Sequence, residues 1–456
     1  MRSELNYEMP WRPNYEAMAI GVWIISTLMA FWIVDYQGLP ERLAWWFAAL
    51  ATIKILLWSP GAISVWQRKR RLKGLPTRFI RTRDFILQGR EKVANIWLGW
   101  GFDWQQRHAQ LSHEIMKRDL GRLTLSSDGS FGAEWIHGLE PNEKRIRFPI
   151  EHIAGHTLIV GTTGSGKTRT FDLLITQAVL RGEAVIIIDP KGDRDLCEAA
   201  RRACEVAGCP ERFMFFHPAH PDESFRINPL LNFTRPSELA GRIAQLIPSE
   251  SGNDPFKAFG QKSLDNIIQG LLILDQRPTL LSLRHYLEGG PAKLITRSLE
   301  NHFEKSYGLN WMSKLPKSRS QGGENHAVRL VKFYRDVVEG EYPNSNLEGL
   351  ISMFEHDRAH FGKMIANLLP IMNMLTTGAL GELLSPDEND KADSRPFTDS
   401  ESLIEGQLVT YIGLDSLSDG MVGSAIGAIL LADLASVAGK RYNFGSENRP
   451  VNIFVD

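Results

Sequence analysis

The chain has 456 residues and a formal net charge of −1. No basic field over the whole protein indicates nucleic-acid binding, so any such contact must be local. The length leaves room for two or three domains beside a membrane anchor.

Two apolar stretches near the N-terminus predict a transmembrane hairpin. Ala17–Val34 carries no charged residue and is close to the length that spans a hydrocarbon core. The second stretch, Leu43–Trp66, is interrupted by Lys54 and Pro60. Lys54 can pair within the hairpin or extend its charge toward the interface, so a second span is still predicted. This second span argues against a cleaved signal peptide.

A dense basic run, Arg68–Lys73, directly follows the hairpin. The positive-inside rule places this end of the hairpin, and the chain after it, in the cytoplasm. Two spans return the N-terminus to the same side. Nucleic-acid binding is an alternative role for the run, and contact with anionic lipid is a by-product of its position.

An octapeptide further along the chain fits the phosphate-binding P-loop pattern. Its glycines let backbone N–H groups cradle phosphate oxygens, its lysine reaches the β- and γ-phosphates, and its threonine ligates Mg²⁺. The apolar run Thr157–Val160 predicts a strand before the loop, and Thr168–Arg181 predicts a helix whose N-terminus faces the phosphates. The sequence therefore predicts that the chain binds ATP and Mg²⁺. The eight positions are Gly161, Thr162, Thr163, Gly164, Ser165, Gly166, Lys167 and Thr168.

Helix and strand patterns alternate after the P-loop. Ala184–Asp189 reads as a buried strand, a charged helix follows, and Arg212–Phe216 is a further short strand. This order predicts a RecA-like α/β core with a parallel sheet. Asp189 ends the strand directly after the P-loop helix, where additional-strand P-loop ATPases do not carry the Walker B aspartate. The better candidate is Val451–Asp456, which makes Asp456 the predicted second metal ligand.

The pattern between these halves is helical. Apolar residues recur at helical spacing from about Ser237 to Pro386, which predicts an all-α insertion domain. Gln407–Ile412 restores a strand, and Met421–Lys440 is a helix whose small residues predict close packing on the sheet. The fold class is thus an α/β RecA-like P-loop ATPase core with an all-α insertion and an N-terminal two-helix transmembrane anchor. The predicted domains are the anchor (1–75), a juxtamembrane segment (76–150), the first half of the core (151–236), the insertion (237–400) and the second half of the core (401–456).

Two other patterns have ordinary explanations. Cys197, Cys204 and Cys209 precede two histidines, His217 and His220, but their spacings match no standard zinc knuckle. Reduced thiols on a helix are expected instead. Leu417–Met421 resembles the signature of transporter ATPases, yet it lacks the second Gly-Gln pair and reads as a loop that caps the next helix.

The combination of these motifs resembles a known family. A two-span hairpin, a basic segment, HTLIVGTTGSGKTRT, AVIIIDPKGDRDL, a helical insertion, LVTYIGLDSLSD and VNIFVD occur in this order. They are similar to the TraD/TraG-like type IV coupling proteins, and most closely to the conjugative coupling factor TraD of integrative elements. The segment Leu98–Trp104, followed by Arg107 and His108, also looks like the TraD branch.

The resemblance implies a multi-pass ATPase of the bacterial inner membrane, with its N-terminus and main domain cytoplasmic, that forms a homo-hexamer around a central channel. Such proteins couple a DNA–relaxase substrate to a type IV secretion channel. By position, Lys167 and Thr168 bind nucleotide and Mg²⁺, and Asp456 is the Walker B aspartate.

Family members continue past this aspartate with a catalytic Glu, a sensor strand and arginine fingers. Here the sequence ends at Asp456, so no catalytic residue is assigned and a fragment of a longer protein, or a broken gene product, is expected. Two alternatives stay open: an FtsK/HerA-like DNA translocase, and a membrane scaffold that binds nucleotide without turnover.

Overall fold

The computed structural model describes residues 12–71, 80–81, 84–85, 95–117, 134–140, 142–162, 165–248, 254–315, 323–387, 390, 392–445 and 449–456. The chain has a mixed α/β fold in two compact units, residues 1–173 and 174–456. We call them the N-terminal and C-terminal units.

The N-terminal unit opens with two long helices, α1 (Tyr15–Tyr36) and α2 (Arg42–Arg71), which pack against each other. Asn14 caps α1 and also donates from Nδ2 to the carbonyl of Ala62, 3.0 Å away, which ties the start of α1 to the last third of α2. Both helices are long and apolar enough to cross a membrane. Their apolar side chains are largely exposed, for example Leu28 at 66% and Leu57 at 69%.

The rest of the unit contains a two-stranded antiparallel ribbon and short helices. They are β1 (Asn95–Gly101), α3 (Gln106–Met116), a 3₁₀ turn (Glu134–Gly138), β2 (Lys144–Pro149), a second 3₁₀ turn (Ile150–Gly155) and the start of α4 (Lys167–Leu180). Ile115, Trp135 and Leu139 form a small core to which Phe102 and Leu111 add. The first 3₁₀ turn packs against α2.

The predicted strand before the P-loop is not a strand in the structure. Residues 157–160 are irregular, and the side chains of Leu158 and Val160 are 88% and 84% exposed. A strand requires a partner for its backbone groups. Among the described residues, no strand pairs with this short apolar run, which therefore stays irregular.

The C-terminal unit contains a four-stranded parallel sheet. Its strands lie in the order β4-β7-β3-β8. β3 is buried at every position, as a strand covered on both faces must be. The predicted strands at 184–189, 212–216, 407–412 and 451–456 are confirmed within one or two residues. The strands of the unit are β3 (Ala184–Asp189), β4 (Phe213–Phe216), β5 (Arg226–Ile227), β6 (Phe397–Thr398), β7 (Val409–Gly413) and β8 (Val451–Val455).

Helices fill most of the chain between β5 and β6, and the two-residue strands β5 and β6 pair in parallel. Residues at the predicted apolar positions, such as Leu264, Ile267 and Leu350, are fully buried in one hydrophobic core. The helices of the unit are α5 (Arg194–Ala207), α6 (Pro236–Ala244), α7 (Pro255–Ile273), α8 (Leu280–Gly289), α9 (Ala292–Tyr307), α10 (Gly323–Phe333), α11 (Ser345–Glu355), α12 (Arg358–Met364), α13 (Leu369–Thr376), α14 (Gly378–Leu384), α15 (Ser400–Glu405) and α16 (Gly420–Phe444).

Helix α16 is a third helix long and apolar enough to cross a membrane, but half of its most apolar window is buried within the chain. Its small residues permit the predicted close packing: a Cβ on Gly423 would lie 2.9 Å from the Leu414 carbonyl oxygen, and one on Gly427 would lie 2.9 Å from Leu414 Cδ1. As predicted, the preceding loop caps the helix, since Asp419 accepts from the amides of Met421 and Val422.

Helix α16 also carries a buried carboxylate at its centre. Asp433 is fully buried and pairs with Arg242 of α6 at 2.7 Å. Ser400 and Asn232 donate to the other carboxylate oxygen. A charged residue so placed specifies a protein partner rather than lipid. The helix is therefore a core element of the C-terminal unit.

Candidate nucleotide-binding site

Two glycines of the predicted P-loop occupy backbone positions that a residue with a Cβ would strain. Six of its eight residues fall in the described part of the chain, while Thr163 and Gly164 lie outside it. Gly166 has φ of 92°, a region that side chains with a Cβ rarely adopt. A Cβ on Gly161 would lie 2.2 Å from Ser165 Oγ. The Ser165 amide donates to the Thr162 carbonyl at 3.2 Å, which closes the turn.

Lys167 folds back over the loop that precedes it. Its Nζ donates to the carbonyl oxygens of Gly161 and Thr162, at 2.8 and 3.0 Å. Both bonds are exposed to solvent, so a phosphate oxygen can replace them at little cost. A charge-assisted bond to an anion is about twice as strong as one to a neutral acceptor. The ammonium is thus held at the loop, where the sequence places the phosphates.

Helix α4 begins at Lys167, directly after the loop. The Gly166 carbonyl accepts from the Thr170 amide at 3.0 Å and from the Thr170 hydroxyl at 3.2 Å, which fixes the first turn. The unpaired N–H groups and positive dipole end of this helix favour an anion. Thr168 lies half-buried in the same turn. Its role as a Mg²⁺ ligand stays a prediction.

Asp189 closes the loop after β3. One carboxylate oxygen accepts from the Lys191 amide at 2.9 Å, and the other accepts from the Asp193 amide and from the Tyr411 hydroxyl at 2.7 Å. The Asp189 side chain is fully buried. Burial and the adjacent carboxylate raise the pKa of Tyr411 above its usual range. Asp189 therefore holds the segment Pro190–Asp193 in shape, and both of its carboxylate oxygens are hydrogen-bonded within the chain.

Asp456 directly follows β8, at the carboxyl end of the strands, where Asp189 also lies. Its amide donates to the Ile188 carbonyl at 3.2 Å, so it lies beside the end of β3. In contrast to Asp189, its side chain is exposed. Ligands of parallel sheets bind beyond the carboxyl ends of the strands, and a carboxylate oxygen is a ligand that Mg²⁺ prefers. The assignment of Asp456 as the Walker B aspartate stays a prediction.

His217, directly after β4, has a packing role that the sequence did not predict. Its ring lies so close to two glycines that a Cβ on Gly192 would be 2.6 Å from Nε2 and a Cβ on Gly413 would be 2.5 Å from Cδ2. Burial, with a smaller contribution from His220, lowers the pKa of His217. The neutral ring thus fills the space between the loops after β3 and β7. The glycine at position 192, in the motif Asp-Pro-Lys-Gly-Asp, was the sequence signal that another group packs closely against this loop.

The cysteines lie on or next to α5, as predicted. Cys197 and Cys204 are buried, and burial raises the pKa of their thiols to about 11 and about 12. Thiols of this kind are poor nucleophiles at neutral pH. Across the described residues, no group of three or more His, Cys, Asp and Glu side chains could hold a metal ion.

Two comparisons with known proteins show which sequences this chain is similar to. Residues 143–307, which contain the P-loop, match the type IV secretion-system coupling protein DNA-binding domain. The type 4 coupling protein DotL of Legionella pneumophila subsp. pneumophila is 23% identical over 281 residues, which cover 59% of this chain and 33% of DotL. The chain therefore spans about a third of the length of this relative. Both matches confirm the resemblance to type IV coupling proteins that is seen in the sequence, and a place in the TraD branch stays a prediction.

Proposed function

We propose that this chain is the membrane-anchored, ATP-binding part of a coupling protein that links a DNA–relaxase substrate to a type IV secretion channel during conjugative transfer. The observation that carries nucleotide binding is the P-loop geometry, in which the Lys167 ammonium is held at 2.8 Å from the Gly161 carbonyl oxygen at the start of α4. ATP supplies the phosphates that these groups contact, and Mg²⁺ bridges its β- and γ-phosphate oxygens.

The chemistry of each predicted site residue, taken by itself, suits ATP or Mg²⁺. Backbone N–H groups and the ammonium of Lys167 neutralise phosphate charge, and the Thr168 hydroxyl and the exposed Asp456 carboxylate are oxygen ligands of the kind that Mg²⁺ takes. We assign these residues to a RecA-like core whose parallel sheet is β4-β7-β3-β8. We assign no catalytic base. The carboxylate of Asp189 already accepts hydrogen bonds from the Lys191 amide and the Tyr411 hydroxyl.

The substrate and partners are proposed from the family. The matched domain is described as DNA-binding, and DotL is named a type 4 coupling protein, so DNA, its relaxase and a secretion channel are the partners we propose. A homo-hexamer driven by ATP hydrolysis follows from the same family reasoning. The near-zero net charge of the whole chain leaves DNA contact to particular surfaces rather than to overall charge.

We place the protein in the bacterial inner membrane, anchored by α1 and α2. Their exposed apolar side chains need a nonpolar surrounding. The four basic residues Arg68–Arg71 in the last turn of α2 favour a cytoplasmic location for the chain that follows, with the N-terminus on the same side.

The experiment that tests nucleotide binding compares Lys167→Ala with Arg169→Ala in the full chain in detergent micelles. Arg169 lies on the same helix and already pairs with Asp172 at 3.0 Å, so it provides a matched loss of one positive charge. We expect Lys167→Ala to abolish binding of a fluorescent ATP analogue with Mg²⁺, while Arg169→Ala retains it. Equal affinity of the two variants, both with unchanged thermal unfolding, would refute the P-loop assignment.

A further inference from the structure

The ribbon β1–β2 presents tryptophan and arginine side chains on one face. Residues directly opposite in an antiparallel pair share a face, and here Trp97 is opposite Arg147 and Trp100 is opposite Arg145. A register shift between Trp97 and Gly99, where Gly99 has φ of 120°, brings both tryptophans to the same side. The Arg145 guanidinium lies over the Trp100 ring, 5.1 Å from its centroid.

Among the described residues, no acidic side chain neutralises the positive charge of this face. Arg145 and Arg147 are exposed on it, and Lys144 is exposed at the end of the same strand, on the opposite face. The nearby acidic residues are engaged elsewhere: Glu140 contacts Arg107 and His108, and Glu143 contacts His137. Across the described residues, none of the three strand cations forms an ion pair. The face is therefore complementary to an anionic surface.

A continuous chain of contacts joins the ribbon to the membrane hairpin. Phe102, directly after β1, packs on the small core of Ile115, Trp135 and Leu139. Trp135 belongs to the 3₁₀ turn that packs against α2. The last turn of α2 carries the basic run Arg68–Arg71. Since all these elements belong to one compact unit, packed side chains connect the ribbon to α2, and the ribbon follows α2 closely in the chain.

We propose that the β1–β2 ribbon lies on the membrane surface and binds anionic phospholipid headgroups through Arg145 and Arg147, with Trp100 at headgroup depth and Trp97 packed behind it against Phe85. Indole rings favour the membrane–water interface because they are both apolar and able to donate a hydrogen bond. Guanidinium groups bind phosphate oxygens in pairs. This contact orients the N-terminal unit against the bilayer, beyond what a flexible tether gives, and it rests on the proposed anchoring by α1 and α2.

The test uses the full chain in two kinds of nanodisc, one of phosphatidylcholine alone and one with about 30% phosphatidylglycerol. The second supplies the anionic headgroups that attract basic side chains. Hydrogen–deuterium exchange of residues 95–101 and 144–149 is measured in both. We expect slower exchange of the ribbon in the anionic nanodiscs, and we expect about 0.5 M NaCl to remove the difference because salt screens exposed charges.

The variant Arg145→Glu/Arg147→Glu should abolish this difference, because each cation at an anionic surface contributes about fivefold to binding. The matched control is Arg194→Glu/Arg202→Glu, which changes two exposed arginines of α5 by the same charge and should leave the ribbon's protection unchanged. Both variants are expected to co-elute with nanodiscs.

The outcomes separate the two proposals. Failure of the wild-type chain to co-elute with any nanodisc would refute the anchor and, with it, the lipid contact. Co-elution with equal ribbon exchange in both lipid mixtures would overturn the lipid contact alone. Protection that appears with a single-stranded oligonucleotide in neutral nanodiscs, and not with anionic lipid, would identify a nucleic-acid surface and would also overturn it.

Discussion

The buried pair between Arg242 and Asp433 offers the sharpest test of how the C-terminal unit is held together. Arg242 joins α6 to three other parts of the chain: it donates to the Asp433 carboxylate at 2.7 Å, to the Asn232 carbonyl at 2.8 Å and to the Pro229 carbonyl. Its side chain is only 3% exposed. We choose Arg242→Met, because methionine preserves the packing of the stem and removes the charge and all the donors.

The expected cost is about 3–5 kcal/mol, the range for breaking a buried ion pair by removing one partner. Two contributions support this range. The carbonyls of Pro229 and Asn232 lose a donor, at roughly 1–3 kcal/mol for each buried group left unpaired. The Asp433 carboxylate loses the cation that offsets its burial. The control is Lys440→Met, also on α16, whose partner Glu401 is 2.7 Å away with both side chains partly exposed; it should cost less than about 1 kcal/mol.

The pair also predicts a pH dependence with a definite sign. Burial raises the pKa of Asp433 to about 6, and Arg242 is the main group that opposes this rise. Without Arg242 the pKa of Asp433 rises further, while that of an unfolded aspartate stays near about 3.9. The folded variant then takes up a proton as the pH falls through its raised pKa. Arg242→Met should therefore gain stability between about pH 8 and pH 6, and lose it as the pH rises.

The assay is peptide-resolved hydrogen exchange of α6 and α16 in the full chain. A cost of about 3–5 kcal/mol corresponds to exchange that is faster by roughly two to four powers of ten, since about 1.4 kcal/mol is a factor of ten. Adding Asp433→Asn to Arg242→Met should recover stability at pH 8 by removing the unpaired carboxylate. If Arg242→Met costs no more than Lys440→Met, the pair is not buried, and the argument that α16 is a core helix fails.

Three further predictions follow from other contacts. Gly413→Ala should lower the thermal unfolding temperature because its Cβ would lie 2.5 Å from His217 Cδ2, and His217→Ala in the same chain should restore it. Tyr411→Phe removes the hydroxyl bond to a buried carboxylate and should speed hydrogen exchange in the loop after β3, at a cost of about 1.5–3 kcal/mol. Reporter fusions after Lys73 should read cytoplasmic and fusions within 35–42 periplasmic; a cytoplasmic signal from 35–42 would contradict the hairpin.

The helices and strands that were predicted correctly are those recognised from residues close together in the sequence. The continuous apolar run of β3 and the helical spacing of Leu264, Ile267 and Leu350 are properties of neighbouring residues, and the structure confirms them. Gly161 and Gly166 also act through local geometry, because they are needed for the backbone within six residues, while the P-loop assignment itself stays a prediction. Short-range steric rules are enough for such predictions.

Predictions that depend on a distant partner were less reliable. The run 157–160 has the composition of a strand, but composition cannot supply an edge to pair with. Asp189 is a second example, because it ends an apolar strand as a Walker B aspartate does. The sequence does not show that its carboxylate also accepts a hydrogen bond from Tyr411, which is 222 residues away in sequence and 2.7 Å away in the structure.

The three apolar helices show why hydropathy alone does not locate a membrane anchor. α1, α2 and α16 all pass the same test of length and composition. Asp433 would be costly in lipid, and in the interior it is tolerated only because Arg242 meets it from 191 residues away. In the part of the chain that the structure describes, no such buried pair joins α1 to α2, whose apolar side chains, such as Leu28 and Leu57, face outward. The side-chain partners therefore assign α16 to the protein core and leave α1 and α2 as the surface that needs a bilayer.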